Sequence, residues 1–199
     1  MAKPFIGIKR LWYTNELDHD LTSVEDVLEL INGREAQGTQ GQSGYKAAIP
    51  AATEIKNVHD GTWGYNHDDP DTTDYINELT GKPYYRDKTS DGARTINFTM
   101  GVYEFADKAN MQGGSVIEQG TGADKKVVGW KSDGNLKNVE KCIIAMTKTG
   151  NYIVFADASI IAKGDQQEKN IGLGVTAVCM ESEIEGVEAE YMFEGLEEA

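Results

Sequence analysis

His59, His67, Asp68, Asp69, Asp71 and Asp74 crowd one short stretch of this 199-residue chain, and carboxylates at such close spacing suit a hard divalent cation. His67, Asp68, Asp69 and Asp71 are the candidate ligands. Their spacing departs from an EF-hand loop, which needs a central glycine and a closing glutamate. With Pro70 among them, a solvated turn is the simpler expectation. A His–Asp pair such as His67 and Asp69 could serve a hydrolase, yet no Ser or Cys stands in a nucleophile motif such as G-x-S-x-G. The glycines of GTQGQSG and GLG lack the lysine and helix context of a phosphate loop. The expectation is a protein with no catalytic residues, no bound metal and no cofactor. Trp12, Trp63 and Trp130 could stack on sugars, although tryptophans flanking strands more often pack in a core or at its rim. Asn97-Phe98-Thr99 matches a glycosylation sequon, but inside a predicted strand of a chain whose start, MAKPFIGIKR, lacks the layout of a signal peptide.

Charge narrows the classes further. The net charge is -14, with 19 basic against 33 acidic residues. Eight glutamates and no Lys or Arg lie between Glu181 and Ala199, which leaves -6 for the remainder (19 minus 25). Within this acidic segment, 181–199, Glu181, Glu183 and Glu185 alternate, as do Glu188 and Glu190, a pattern that predicts a strand with one carboxylate face. Such a surface repels phosphate backbones and argues against a protein that grips nucleic acid. Cys142 and Cys179, the only cysteines, both fall in predicted strands and read as small buried hydrophobes. No apolar run approaches the roughly 18 residues that span a bilayer. A cytoplasmic chain with no membrane association is expected.

The elements that must position these residues are mainly strands. Val139 to Glu181 carries the clearest alternation. In VEKCIIAMT, Val139, Lys141, Ile143, Ala145 and Thr147 face one way and Cys142, Ile144 and Met146 the other. In NYIVFADASIIAK, Tyr152, Val154, Ala156, Ala158, Ile160 and Ala162 are expected on one face, against Ile153, Phe155 and Ile161. After a polar loop, GDQQEKN, Ile171, Leu173, Val175, Ala177 and Cys179 share a face, with Gly172, Gly174 and Thr176 opposite. Upstream, Phe5 to Tyr13 predicts a first, edge strand. Thr22-Ser23-Val24-Glu25 has capping-box spacing ahead of a helix over Ser23 to Ile31. A Gly/Gln-rich stretch, 33–44, reads as a flexible loop. Ala51 to Val58 and Thr62 to Tyr65 predict a hairpin across Asp60-Gly61, followed by a polar connection through NHDDPDTTDYINELTGKPYYRDKTSDG. ARTINFTMGVY then predicts a strand, and Phe105, Ala106 and Ala109 share one face of a short helix stopped by Gly113-Gly114. Val127 to Lys131 predicts one more strand. The chain is expected as a single domain, 1–199, mainly β: an antiparallel β-sandwich or half-barrel with one or two short packed helices.

With that order of elements, the chain resembles the major tail tube proteins of long-tailed bacteriophages, within the superfamily that includes contractile-injection tubes. The resemblance rests on TINFTMGVYEFADKANMQGG, a strand flowing into a short helix that ends in Gly-Gly. It rests also on TKTGNYIVFADASIIAKGDQQEKNIGLGVTAVCMES, a long hairpin whose last strand ends in glutamate, with a looser similarity of layout over Ala51 to Glu181. The acidic segment and the Gly/Gln-rich loop lie outside it. It implies a structural virion protein, made in the host bacterial cytoplasm, whose hexameric rings stack into a tube that conducts DNA without binding it specifically. Tape-measure and tail-terminator proteins would be its other partners. On this reading Glu181, Glu183 and Glu185 face the channel, and the loop carrying Gly38, Gln40, Gly41 and Gln42 meets the next ring. The alternatives are a surface-binding module for carbohydrate or a host surface, using the tryptophans, a contractile-machine inner tube, and a hydrolase at His67 and Asp69.

Overall fold

The computed structural model describes residues 3–15, 17, 19–33, 50–134 and 138–195. In chain order the elements are β1 (Arg10–Thr14), α1 (Val24–Asn32), β2 (Thr53–Glu54), β3 (Gly64–His67), β4 (Thr72–Asn77), β5 (Lys82–Lys88) and β6 (Arg94–Met100). There follow α2 (Phe105–Gln112), β7 (Ser115–Gln119), β8 (Lys126–Lys131), β9 (Glu140–Met146), β10 (Tyr152–Gln167), β11 (Asn170–Cys179) and β12 (Glu190–Phe193). One antiparallel sheet runs β2-β1-β9-β10-β11-β6-β3, with β12 also paired to β10, and it curls into a half-barrel. The hairpins β4–β5 and β7–β8 stand off it as separate two-stranded sheets. Among the described residues the fold is mainly β with two α-helices, as expected.

Strand side chains alternate across a sheet, so a curled sheet sorts its residues into a concave and a convex set. The concave set packs Leu11, Tyr13, Ile96, Phe98, Ile143, Phe155, Leu173 and Val175 into one core, which Met111 of α2 joins. The convex set, including Trp12, Cys142, Ile144 and Val154, packs under Val24, Val27 and Leu30 of α1. Cys142 and Cys179 therefore lie in different cores, and both are free thiols. Burial pushes both thiols above the ordinary range, Cys179 to about 11.

Period-two reading holds for β9 and β11 but breaks within β10. Tyr152, Val154 and Ala156 belong to the convex core, whereas Ala158 and Ile160 join Ile153 and Phe155 in the concave one. A register shift between Phe155 and Ala158 against β9 is the cause: the extra residue of a bulge resets the parity of everything after it. β10 also continues through Gln167, so most of the expected GDQQEKN loop is strand, and the chain reverses at Glu168, whose φ is 52.

Four other expectations are corrected. β1 starts at Arg10 rather than Phe5 and lies between β2 and β9, not at the edge. Ser23 caps α1 and exchanges hydrogen bonds with Asp26, one residue later than the Thr22/Glu25 pair expected. Ala51 to Tyr65 is no hairpin, because Thr53–Glu54 pairs with β1 while Gly64–His67 pairs with β6. The Asp60-Gly61 turn, closed by Thr62 N donating to His59 O at 3.2 Å, instead carries the chain from one end of the sheet to the other. In α2, Phe105 and Ala106 are exposed, and Met111 is the buried anchor.

Candidate assembly surface

The stretch expected as a polar connection, 66–92, is a projecting arm. β4 and β5 pair with each other alone, inserted between β3 and β6, which are neighbours in the main sheet. At its base Asp68 N donates to Ala93 O at 2.9 Å, and farther out Thr89 N donates to Asp71 O, also at 2.9 Å. Gly92, at φ +77, is required there, since a Cβ would run into the Asp68 carbonyl. Along the arm Asp74 and Arg86 form a two-pronged ion pair at 2.6 and 2.8 Å, and the Tyr75 and Tyr85 rings pair across the strands at 5.7 Å. The tip turns at Gly81, whose N–H donates to Asn77 O. Pro83, which has no N–H to donate, sits opposite Ile76 next to a register shift that leaves Tyr84 as the extra residue.

Nearly every arm residue is exposed; only Asn77 and Asp87 in its strands are half-buried. Tyr75, Ile76, Leu79, Tyr84 and Tyr85 are all among the exposed large hydrophobics, with Leu79 at the tip 96% exposed and Tyr84 70%. A lone two-stranded hairpin is marginal in water, and clustered exposed apolar side chains mark interaction sites. Folding of the subunit alone does not account for these five side chains.

The candidate metal ligands are dispersed by the same arm. His67 Nε2 lies 3.0 Å from Asp91 O, Asp68 Oδ1 accepts from Asn66 Nδ2 at 2.6 Å, and Asp71 Oδ2 accepts from Ser90 Oγ at 3.1 Å. Asp69 is exposed in the connection to β4. Among the described residues no three His, Cys, Asp or Glu side chains gather as a metal site. The tryptophans form no common platform: Trp12 is buried in the convex core, Trp63 packs against the concave one, and Trp130 donates to Gly113 O under the Lys108 ammonium.

The carboxylate strand expected over Glu181 to Glu185 is absent. Residues 180–189 form an irregular connection with a turn at Glu185-Gly186, and the strand begins only at Glu190. Val187 is the reason, because it is buried in the convex core and the chain must bend to seat it. Glu181, Glu183 and Glu185 are exposed. Glu190 instead accepts from Tyr65 at 2.8 Å and lies 3.3 Å from Arg94 Nε, tying β12 to β3 and β6. Burial, then the Glu190 hydrogen bond, pushes the Tyr65 hydroxyl up to about 12. Gly38, Gln40, Gly41 and Gln42 lie outside the described residues.

On β11, Gly172 and Gly174 permit close contact with the neighbouring strands. A Cβ at Gly172 would press on Met100 O and the Thr99 methyl, and one at Gly174 on the Asp165 Cβ. Their absence lets Thr99 Oγ1 reach across β11 to Asp165 Oδ2 at 2.9 Å. Hydrogen bonds from Gln167 and then Thr99 hold the Asp165 carboxyl below the usual range. Among the described residues no helix is long and apolar enough to cross a membrane. No protein-family model matches the chain, and no curated protein matches it either.

Proposed function

We propose that this chain is a self-assembling structural subunit, whose copies form stacked rings, hexameric as in the tail tubes it resembles, around a channel that conducts DNA. The arm carries the reading. Five large apolar side chains on a hairpin with no core of its own call for a partner surface, and burial of one such side chain contributes about 1.5–3 kcal/mol. The half-barrel with its packed helix agrees with the architecture the resemblance implies. The acidic excess suits a conduit, because affinity for phosphate backbones comes mainly from Lys and Arg. The role is scaffolding rather than catalysis, in a virion, with tape-measure and tail-terminator proteins as further partners.

The arm is separable, since Asp68 N and Ala93 O already close its base. Replacing residues 70–91 with a short glycine turn is expected to leave a folded monomer while abolishing assembly, read by sedimentation and circular dichroism. Undiminished assembly of the armless chain would overturn the role given to the arm.

A further inference from the structure

We infer that copies of this chain join head to tail, a lysine-lined groove on one copy receiving the glutamate-bearing segment 180–188 of the next. This rests on the assembly reading and adds a second contact to the arm. The groove, of about 570 Å³, is lined by Lys3, Lys9 and Lys148 together with apolar Val24, Leu28 and Met146; among the described residues none of those lining it is acidic, and at its edge the Glu194 carboxylate accepts from Lys3 N at 3.2 Å. In a chain of net charge -14, three lysines around one concavity set it apart. Phe5 and Ile6, 42% and 53% exposed, lie on the chain between Lys3 and Lys9.

The segment 180–188 matches that surface in charge and in apolar content. Glu181, Glu183 and Glu185 are exposed, as are Met180 and Ile184 at 43% and 46%. It is fastened at both ends: Met180 N donates to Asp157 O at 2.9 Å, Ala156 N donates to Ala189 O at 3.0 Å, and Val187 is buried between them. The carboxylates are therefore presented on a fixed scaffold, which lowers the ordering cost of docking.

Placement excludes the contact within one chain and favours it between chains. From Ala189 the chain runs through β12 and reaches the groove at Gly195, so segment and groove lie at opposite ends of one short strand. At about 3.3 Å per residue the separation is roughly 20 Å. Two different complementary surfaces at separate places on a subunit make a heterologous contact, which repeats from copy to copy and closes into a ring or extends into a stack. Opposite charges steer and register such a contact, whereas like charges oppose it.

Charge exchange tests it. Two variants are compared with wild type by sedimentation over a concentration series at low salt: Lys9→Glu/Lys148→Glu, and Glu181→Lys/Glu183→Lys/Glu185→Lys. All five positions are exposed, and melting curves check that each variant folds. Each variant alone is expected to need at least about tenfold more protein to assemble, and an equimolar mixture to recover the wild-type threshold, since each then offers the other an opposite charge. If both variants assemble like wild type, or if the mixture recovers nothing, the pairing is wrong while the assembly reading stands. Loss of assembly in a chain ending at Gly195, without loss in the Glu181/Glu183/Glu185 variant, also overturns it. A wild type that stays monomeric throughout removes both.

Discussion

The Tyr13 hydroxyl shows how one side chain fastens two layers. It donates to Asp107 Oδ1 at 2.9 Å and accepts from Asn110 Nδ2 at 3.1 Å, tying β1 to α2. Burial, against the Asn110 hydrogen bond, pushes it up to about 12. An unfolded tyrosine loses its proton near pH 10, so between those values the unfolded chain binds fewer protons and stability falls as pH rises. The contribution is intact below pH 10. Tyr65 adds to the same window. Tyr13→Phe is expected to cost about 1–2 kcal/mol at pH 7, and together with Tyr65→Phe to flatten the loss of stability between pH 10 and 12 in denaturant titrations. An alkaline profile unchanged in the double variant would show that these hydroxyls are not the cause.

At the scale of elements, the sequence made the spine legible and hid the arm, for one physical reason. β11 buries one face, so its apolar residues recur every second position, whereas β9 is buried on both and reads as a continuous apolar run, CIIAM; both patterns are legible as strand. The arm buries neither face, so TTDYIN and KPYYRDK carry no alternation, only β-branched and aromatic residues on either side of the ELTG turn. That composition was the signal that could have found it. The β10 bulge was hidden because Ala156 and Ala158, on either side of Asp157, are small enough for either face, so the alternation reads as unbroken across the shift. Over Glu181 to Glu190 alternation misled, because seating Val187 outweighs the preference of the glutamate repeat for a strand. The candidate site was legible only in its residues: His67 to Asp71 do lie together in sequence, but their side chains bond locally around the arm's base.

The same contrast yields a prediction. Phe155 is fully buried where β9, β10 and β12 meet, and Phe155→Ala should cost about 3–5 kcal/mol. Leu79→Ser and Tyr84→Ser, on the arm, should leave the melting temperature nearly unchanged while weakening assembly. Stability lost in the arm variants to the same degree as in Phe155→Ala would mean that the arm packs on its own subunit.

For the whole molecule, the surfaces fall into a pattern that a lone subunit does not need. A curled sheet buries two cores, one on each face, and is sufficient to fold. Beyond it stand an apolar arm, a lysine-lined groove and a glutamate-bearing segment, each exposed. In the assembly proposed above, contacts between copies would give all three an occupant. Charged contacts are screened at high salt and apolar ones are not, so in that assembly the groove contact is expected to weaken with salt while the arm contact persists. The most direct measurement is electron microscopy of the purified chain at high concentration. The account predicts rings or tubes; fields of separate monomers at every concentration would contradict it.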